Sequence, residues 1–96
     1  MKALIRQAFP EDPHTAVAIA RCESGLKPGA YNPKNNNGTT DGGLWQINSA
    51  HDSTLNHMGL DKWDPEDATK FARYLYDRRG GWGDWVCYTH GLIAMR

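Results

Sequence analysis

The sequence lacks an excess of charge of either sign. Its 96 residues include eleven basic and eleven acidic side chains, which cancel at neutral pH. No stripe of lysine and arginine stands out along the chain, so a basic face that binds nucleic acid is not expected. Neutrality also means that no overall field steers the protein towards an anionic polymer.

Long hydrophobic runs are missing as well. No stretch approaches the ~20 apolar residues that a membrane-spanning helix needs, so no membrane partner is predicted. The N-terminal segment is interrupted by Arg6 and Gln7, and no small-residue cleavage site follows it. It is therefore not expected to be a signal peptide, and export would use another route or a leader that has been removed.

Cysteine is scarce and histidine is scattered. The two cysteines, Cys22 and Cys87, fit no metal-binding spacing. On these facts alone, two buried thiols are favoured over a bridge. The histidines form no pair at helical spacing and no other ligand cluster. The sequence therefore predicts neither a metal site nor a cofactor.

A chain of this length predicts one domain over residues 1–96, and it contains no internal repeat. Asp12-Pro13 resembles a helix cap followed by proline at the first helical position, and the helix should end before Gly25. Because this helix is apolar nearly all round, it is expected to be central and buried. Asp64-Pro65 predicts a second helix, which Gly80 ends.

The segment between these helices predicts turns and a small β element. The asparagine-rich stretch 32–40 is typical of a loop, and 41–48 suits a tight hairpin or an irregular strand. Asn48 or Ser49 is expected to cap a short helix that ends near Gly59. The predicted fold class is therefore α+β and mostly helical, with a small β-hairpin beside a central buried helix.

Two carboxylates stand in contrasting surroundings. Glu23 lies at the C-terminal end of the buried helix, where desolvation and the helix dipole both disfavour its charge. Asp41 lies in a polar loop that should keep it ionised. Such a pair suits cleavage of a glycosidic bond, which needs a protonated donor and a group that stabilises or traps positive charge. Taken singly, each residue is more often a surface charge or a turn former.

The sequence around these two carboxylates resembles that of the lysozyme-like superfamily. The resemblance is carried by two stretches, Cys22-Glu23-Ser24-Gly25 and Asp41-Gly42-Gly43-Leu44-Trp45-Gln46-Ile47-Asn48-Ser49. It implies a lysozyme-like fold in which Glu23 is the general acid. The second stretch is closest to chicken-type lysozymes, and there Asp41 falls on the second carboxylate. Gln46 and Asn48 fall on residues that line the sugar-binding cleft.

The ends of the chain are similar to other branches of the superfamily. The placement of Cys22 and Cys87 is similar to that in resuscitation-promoting factors of actinobacteria, and the resemblance implies a disulfide between them. The tail from Gly81 to Gly91 resembles small phage and bacterial domains of the soluble lytic transglycosylase type. Because aromatic faces stack on sugar rings, Trp85 and Tyr88 are expected in the substrate cleft.

The expected activity is that of a muramidase, which hydrolyses the β-1,4 bond between N-acetylmuramic acid and N-acetylglucosamine. A lytic transglycosylase that forms 1,6-anhydro-muramyl ends is the alternative, and a non-catalytic glycan-binding wall module is a third. Lytic transglycosylases usually lack a carboxylate at the position of Asp41, which favours hydrolysis. The expected partner is then bacterial peptidoglycan. The protein is expected to be a monomer that acts on the cell wall from outside the cell or after delivery by a phage. The several disulfides of chicken-type lysozymes are absent, so their full fold does not transfer.

Overall fold

A computed structural model describes residues 1–33 and 35–93. Helices and short strands follow one another in these ranges, with one 3₁₀ turn. The helices are α1 (Lys2–Ala8), α2 (Pro13–Ser24), α3 (Asp52–Met58), α4 (Pro65–Arg79) and α5 (Val86–Thr89), and the 3₁₀ turn is Ser49–His51. The strands are β1 (Tyr31–Asn32), β2 (Asp41–Gly42) and β3 (Ile47–Asn48). The predicted class, α+β and mostly helical, is confirmed.

Local signals set the ends of the two long helices. Helix α2 begins at Pro13, although the side chain of the predicted cap Asp12 makes no capping hydrogen bond. It ends at Ser24, and Gly25 follows in the left-handed conformation with φ 67°. Asp64 caps α4 by accepting a hydrogen bond from the Asp67 backbone N–H at 2.9 Å, and Gly80 ends that helix. The predicted short helix is α3, which Gly59 ends. Asn48 caps the 3₁₀ turn that leads into it.

The strands form one antiparallel sheet in the order β1-β2-β3. The β2-β3 pair is the hairpin predicted for 41–48, and it places Asp41 opposite Asn48. Strand β1 was not predicted, and it adds Asn32 opposite Asp41 on the other side. Asp41 therefore lies on the middle strand, where both neighbours hold its backbone.

The two glycines after Asp41 are required by close contacts. A Cβ on Gly42 would lie 2.6 Å from Cη2 of Trp63, whose ring covers that position. Gly43 has φ 84°, and a Cβ there would collide with the backbone oxygen of Lys62. Only glycine lets the hairpin fit this closely against the segment that leads into α4.

The core is built around aromatic rings. Phe9 packs against Trp45 and Trp82 with ring centroids 5.5 and 4.8 Å away. Trp45 is fully buried, and its Nε1–H donates to Thr69 Oγ1 at 3.0 Å. Trp85 closes the cluster and donates from Nε1 to the carbonyl of Trp45 at 3.0 Å. Each buried indole thus has a partner for its polar atom.

Helix α1 was not predicted, and it is anchored by tertiary contacts. Its Ile5 is fully buried, as is Phe9 directly after it. Arg73 of α4 donates to the Ala8 carbonyl at 3.1 Å and to both carboxylate oxygens of Glu11 at 2.7 Å each. A bidentate guanidinium of this kind joins the start of the chain to α4. No helix in the described part of the chain is both long and apolar enough to cross a membrane.

Candidate active site

A cleft of about 770 Å³ runs between the end of α2, the sheet and the tail. Most of the residues that line it are polar, and three of them are carboxylates, Glu23, Asp41 and Asp84. The other lining residues are Asn32, Asn35, Asn36, Asn37, Thr39, Gln46, Ile47, Asn48, His51, Leu75, Trp85 and Val86. A wall of amides, hydroxyls and carboxylates suits a ligand that carries many hydrogen-bonding groups.

Glu23 lies in the last turn of α2 and is half-buried. Its Oε2 accepts a hydrogen bond from the backbone N–H of Cys87 at 3.1 Å. Burial raises the pKa of Glu23, and the negative charge of Asp41 raises it further, whereas the Cys87 N–H acts in the opposite direction. A raised pKa increases the fraction of the carboxyl that is protonated, which is the form a general acid requires.

A disulfide fixes the position of Glu23. Cys22 and Cys87 are bonded to each other, with 6.2 Å between their Cα atoms. Cys22 immediately precedes Glu23, and Cys87 supplies the N–H that its carboxylate accepts. The disulfide that the resemblance implied is therefore present, and it links the residue before the acceptor, Glu23, to the donor, Cys87.

Ser24 joins the end of α2 to the hairpin. Its buried hydroxyl lies 2.7 Å from the Leu44 carbonyl and 3.0 Å from the Ala20 carbonyl, either of which can accept its proton. The backbone N–H of Lys27 donates to the same oxygen at 3.3 Å. A serine after Glu23 thus positions the carboxylate relative to the segment that carries Asp41.

Asp41 faces the cleft from the middle strand. Its Oδ1 accepts a hydrogen bond from Asn48 Nδ2 at 3.0 Å. The same Asn48 amide donates to Thr39 Oγ1 at 2.9 Å, so the carboxylate is oriented by a cross-strand polar contact. Glu23 and Asp41 both line this cleft, so the structure brings the two predicted carboxylates together.

The predicted sugar-binding residues Gln46 and Asn48 both line the cleft, and their amides also bind the protein. Gln46 has φ 50°, an uncommon value for a residue with a side chain. Its Nε2 donates to the carbonyls of Ala30 and Gly43 at 3.0 Å each, which holds the hairpin turn. Asn48 Oδ1 accepts from the Ala50 N–H at 2.9 Å. Both residues shape the wall, and their contact with sugar stays a prediction.

The two predicted aromatic residues are placed differently. Trp85 lines the cleft, although it is only 3% exposed and packs mainly into the core. Tyr88 does not line the cleft and is 38% exposed. Successive residues of a helix point about 100° apart, so α5 directs Val86 to the cleft and Tyr88 away from it. The structure does not bring Tyr88 together with the other predicted site residues.

Several cleft residues were not predicted from the sequence. The asparagine tract was interpreted only as a loop, and Lys34 within it lies outside the described residues. His51 lines the cleft, and the centroid of its ring lies 5.6 Å from that of Phe71. Asp84 carries no local sequence signal, since a carboxylate between Gly83 and Trp85 is unremarkable by itself. Among the described residues, no group of three or more His, Cys, Asp and Glu side chains is placed to hold a metal ion.

Comparison with known proteins identifies the family of this chain. A family described as lysozyme-like domain matches residues 6–87. Invasion protein IagB of Salmonella typhimurium, in strains SL1344 and LT2, and of Salmonella typhi is 54% identical over 43 residues, which cover 45% of this chain and 26% of each relative. This chain thus spans about a quarter of the length of these curated relatives. No solved structure matches it significantly. Since the family match extends over most of its length, the chain belongs to the lysozyme-like domain family.

Proposed function

We propose that this domain is a muramidase that hydrolyses the β-1,4 bond between N-acetylmuramic acid and N-acetylglucosamine in bacterial peptidoglycan. The observation that carries the proposal is the pair of carboxylates in one cleft, with a raised pKa at Glu23. Membership of the lysozyme-like family supports a glycan substrate. The polar wall supports the same class of ligand, because sugar rings present hydroxyls and acetamido groups.

Glu23 acts first in this proposal. Its protonated carboxyl donates a proton to the glycosidic oxygen as the bond to the anomeric carbon breaks, and positive charge develops at that carbon. The Cys87 N–H keeps one carboxyl oxygen in place, and it can stabilise the carboxylate that remains after proton transfer. Burial raises the pKa of this carboxyl and so increases its protonated fraction.

Asp41 supplies the second function. Its carboxylate attacks the anomeric carbon, activates a water molecule, or stabilises the positive charge. In each case water finally adds to the anomeric carbon and gives up a proton, which Asp41 accepts where it activates the water and Glu23 accepts otherwise. The amide of Asn48 orients it without neutralising its charge. This division of roles between a desolvated acid and a polar carboxylate is the one that glycoside hydrolysis requires.

The chemistry of the new chain end tests the proposal. Purified peptidoglycan is digested with the protein, and the muropeptides are analysed by mass spectrometry before and after borohydride reduction. A muramidase leaves reducing ends that borohydride reduces. Ends that are lighter by one water and resist reduction are 1,6-anhydro-muramyl products, and they would replace the proposal with a lytic transglycosylase. Binding to peptidoglycan without any new ends would indicate a non-catalytic wall module.

A further inference from the structure

Two exposed aromatic rings lie side by side outside the cleft, and we call this pair the aromatic patch. Tyr31 is 57% exposed and Trp63 is 42% exposed, and their ring centroids are 5.9 Å apart. The other three tryptophans are at most 5% exposed. Single exposed apolar side chains need no explanation, whereas adjacent ones form a surface that is a candidate for binding.

The hairpin builds this patch on the face of the sheet that points away from Asp41. Tyr31 pairs with Gly42, the residue after Asp41, and successive side chains of a strand alternate between the two faces. Gly42 has no side chain, and the ring of Trp63 occupies the space that one would need, since a Cβ there would be 2.6 Å from Cη2. Neither ring of the patch lines the cleft. The patch is therefore separate from the candidate active site.

The ring of Trp63 is held in place by the protein itself. One edge of the ring lies against Gly42, and Lys62 Nζ is 5.9 Å from the ring centroid. Lys62 is in turn paired with Asp52 at 2.7 Å. Because a ring that is already ordered loses little conformational freedom on binding, the exposed part of Trp63 is well suited to contact a ligand.

A hollow of about 310 Å³ beside Trp63 supplies polar groups next to the ring. The other residues that line it are Asp52, Leu55, Asn56, Leu60, Asp61 and Lys62. Asp61 holds the turn there by accepting from the Trp63 backbone N–H at 2.9 Å, whereas the amide of Asn56 can both donate and accept. Such a site suits a sugar, because a pyranose has an apolar face and a rim of hydroxyl and acetamido groups.

The charges around the hollow favour a neutral sugar. Asp52 and Asp61 outnumber Lys62, so the lining carries an excess of negative charge that repels an anionic polymer. N-acetylglucosamine is uncharged and meets no such repulsion. The whole chain has no net charge either, so its retention on a cell wall requires short-range contacts of this kind.

We propose that the aromatic patch and the hollow beside it form a second glycan-binding site, which stacks an N-acetylglucosamine ring of peptidoglycan and binds its polar rim through Asn56. The assignment rests on the proposed function, because it takes the occupant to be the polymer that is cleaved in the cleft. A strand held here raises the local concentration of glycosidic bonds at the cleft, and the site takes no part in the chemistry.

Binding to insoluble peptidoglycan tests the proposal. The Glu23→Gln variant, which removes the proposed acid, is sedimented with purified peptidoglycan, and its affinity is compared with and without a second change at Tyr31. We expect Tyr31→Ala to weaken binding about three- to tenfold, as for the loss of one aromatic contact. Tyr31→Phe keeps the ring and should bind like the Glu23→Gln protein, whereas Tyr31→Leu keeps apolar bulk without a flat ring and should bind as weakly as Tyr31→Ala.

Turnover separates this site from the cleft. With Glu23 intact, KM for insoluble peptidoglycan should rise about three- to tenfold in Tyr31→Ala, while kcat on a short soluble glycan fragment changes less than twofold. Met58→Ala is the matched control and should leave affinity and KM unchanged. Met58 is also an exposed apolar side chain, at 41%, and it lines neither the hollow nor the cleft.

Three results would overturn the proposal. Affinity and KM within twofold of the parent values in a folded Tyr31→Ala protein would show that the patch contacts no glycan. Equal binding by Tyr31→Leu and Tyr31→Phe would show that no sugar stacks on the ring. A dimer in analytical ultracentrifugation that Tyr31→Ala dissociates would assign the patch to a second copy of this chain. Failure of the parent to leave new chain ends would instead refute the proposed function, because the binding measurement needs no cleavage.

Discussion

The helical core and the small sheet of this molecule are held together by different forces. In the core, Phe9, Trp45 and Trp82 are buried in contact with one another, and their attraction is apolar. On the side of the sheet that faces the cleft, side-chain hydrogen bonds connect polar residues, such as those from Asn48 to Thr39 and Asp41. The core region therefore carries stability, and the sheet region presents polar groups to the cleft.

Glu23 lies where these two regions meet. Its helix belongs to the core, while its carboxylate faces the polar cleft and accepts a hydrogen bond from the tail. The comparison teaches that stability and activity should be separable here. Substitutions in the polar region should reduce activity more than stability. Loss of the disulfide that joins α2 to the tail should reduce both stability and activity.

The largest effect is expected from Glu23→Gln. The amide keeps the shape and can still accept from the Cys87 N–H, but it has no acidic proton. General acid catalysis contributes on the order of 100- to 10,000-fold, so peptidoglycan clearance should fall by that range. Glu66→Gln, an exposed glutamate in the first turn of α4, is the control and should keep full activity. Clearance by Glu23→Gln within threefold of the parent would contradict the assignment.

Removing the disulfide should damage both regions. The bridge spans 65 residues, for which the chain-entropy model gives about 4 kcal/mol of stability. Cys22→Ser with Cys87→Ser should therefore lower the free energy of unfolding by about that amount in a urea titration. Activity should fall as well, because the Cys87 N–H loses its fixed position. Dithiothreitol should destabilise the parent and leave the double variant unaffected; equal sensitivity of the two would argue against the bridge.

Asp41→Asn should affect activity alone. The amide keeps the size of the side chain and most of its turn contacts, but it carries no charge near the anomeric carbon. We expect at least a tenfold loss of clearance with little change in melting temperature. Asp61→Asn is the matched control, because Asp61 also accepts within a turn, from the Trp63 N–H at 2.9 Å, and lies outside the cleft. Unchanged activity in Asp41→Asn would favour a mechanism with a single carboxylate.

The smallest effect is a pH dependence of stability that comes from Glu23. Burial raises its pKa in the folded protein above the ordinary value of 4.5, so the folded state binds more protons in the interval between the two values. Its contribution to stability is therefore fully present below about pH 4.5 and is lost as pH rises through the raised pKa. Glu23→Gln should flatten this decline, which parallel melting curves from pH 4 to 8 would measure. An unchanged slope would mean that Glu23 is not desolvated.

Much of the helical framework could be predicted because its signals are local. Pro13 and Pro65 begin helices, and Gly25, Gly59 and Gly80 end them, through backbone preferences that need no distant partner. The resemblance also identified two of the three carboxylates of the cleft, Glu23 and Asp41. Helix α1 was missed because seven residues form a marginal helix by themselves, and its stability comes from burying Ile5 and Phe9.

The sequence by itself determined the class of fold, the ends of the long helices and the pair of candidate catalytic carboxylates. Only the tertiary structure decided the environment of each side chain. About half a helical turn at α5 separates Val86 in the cleft from Tyr88 outside it, and the approach of Arg79 leaves Asp84 with one unpaired buried oxygen. Burial, hydrogen-bond partners and pKa depend on atoms that are distant in the chain, whereas helix caps depend on neighbours. That difference in range is why the framework could be predicted and much of the cleft wall could not.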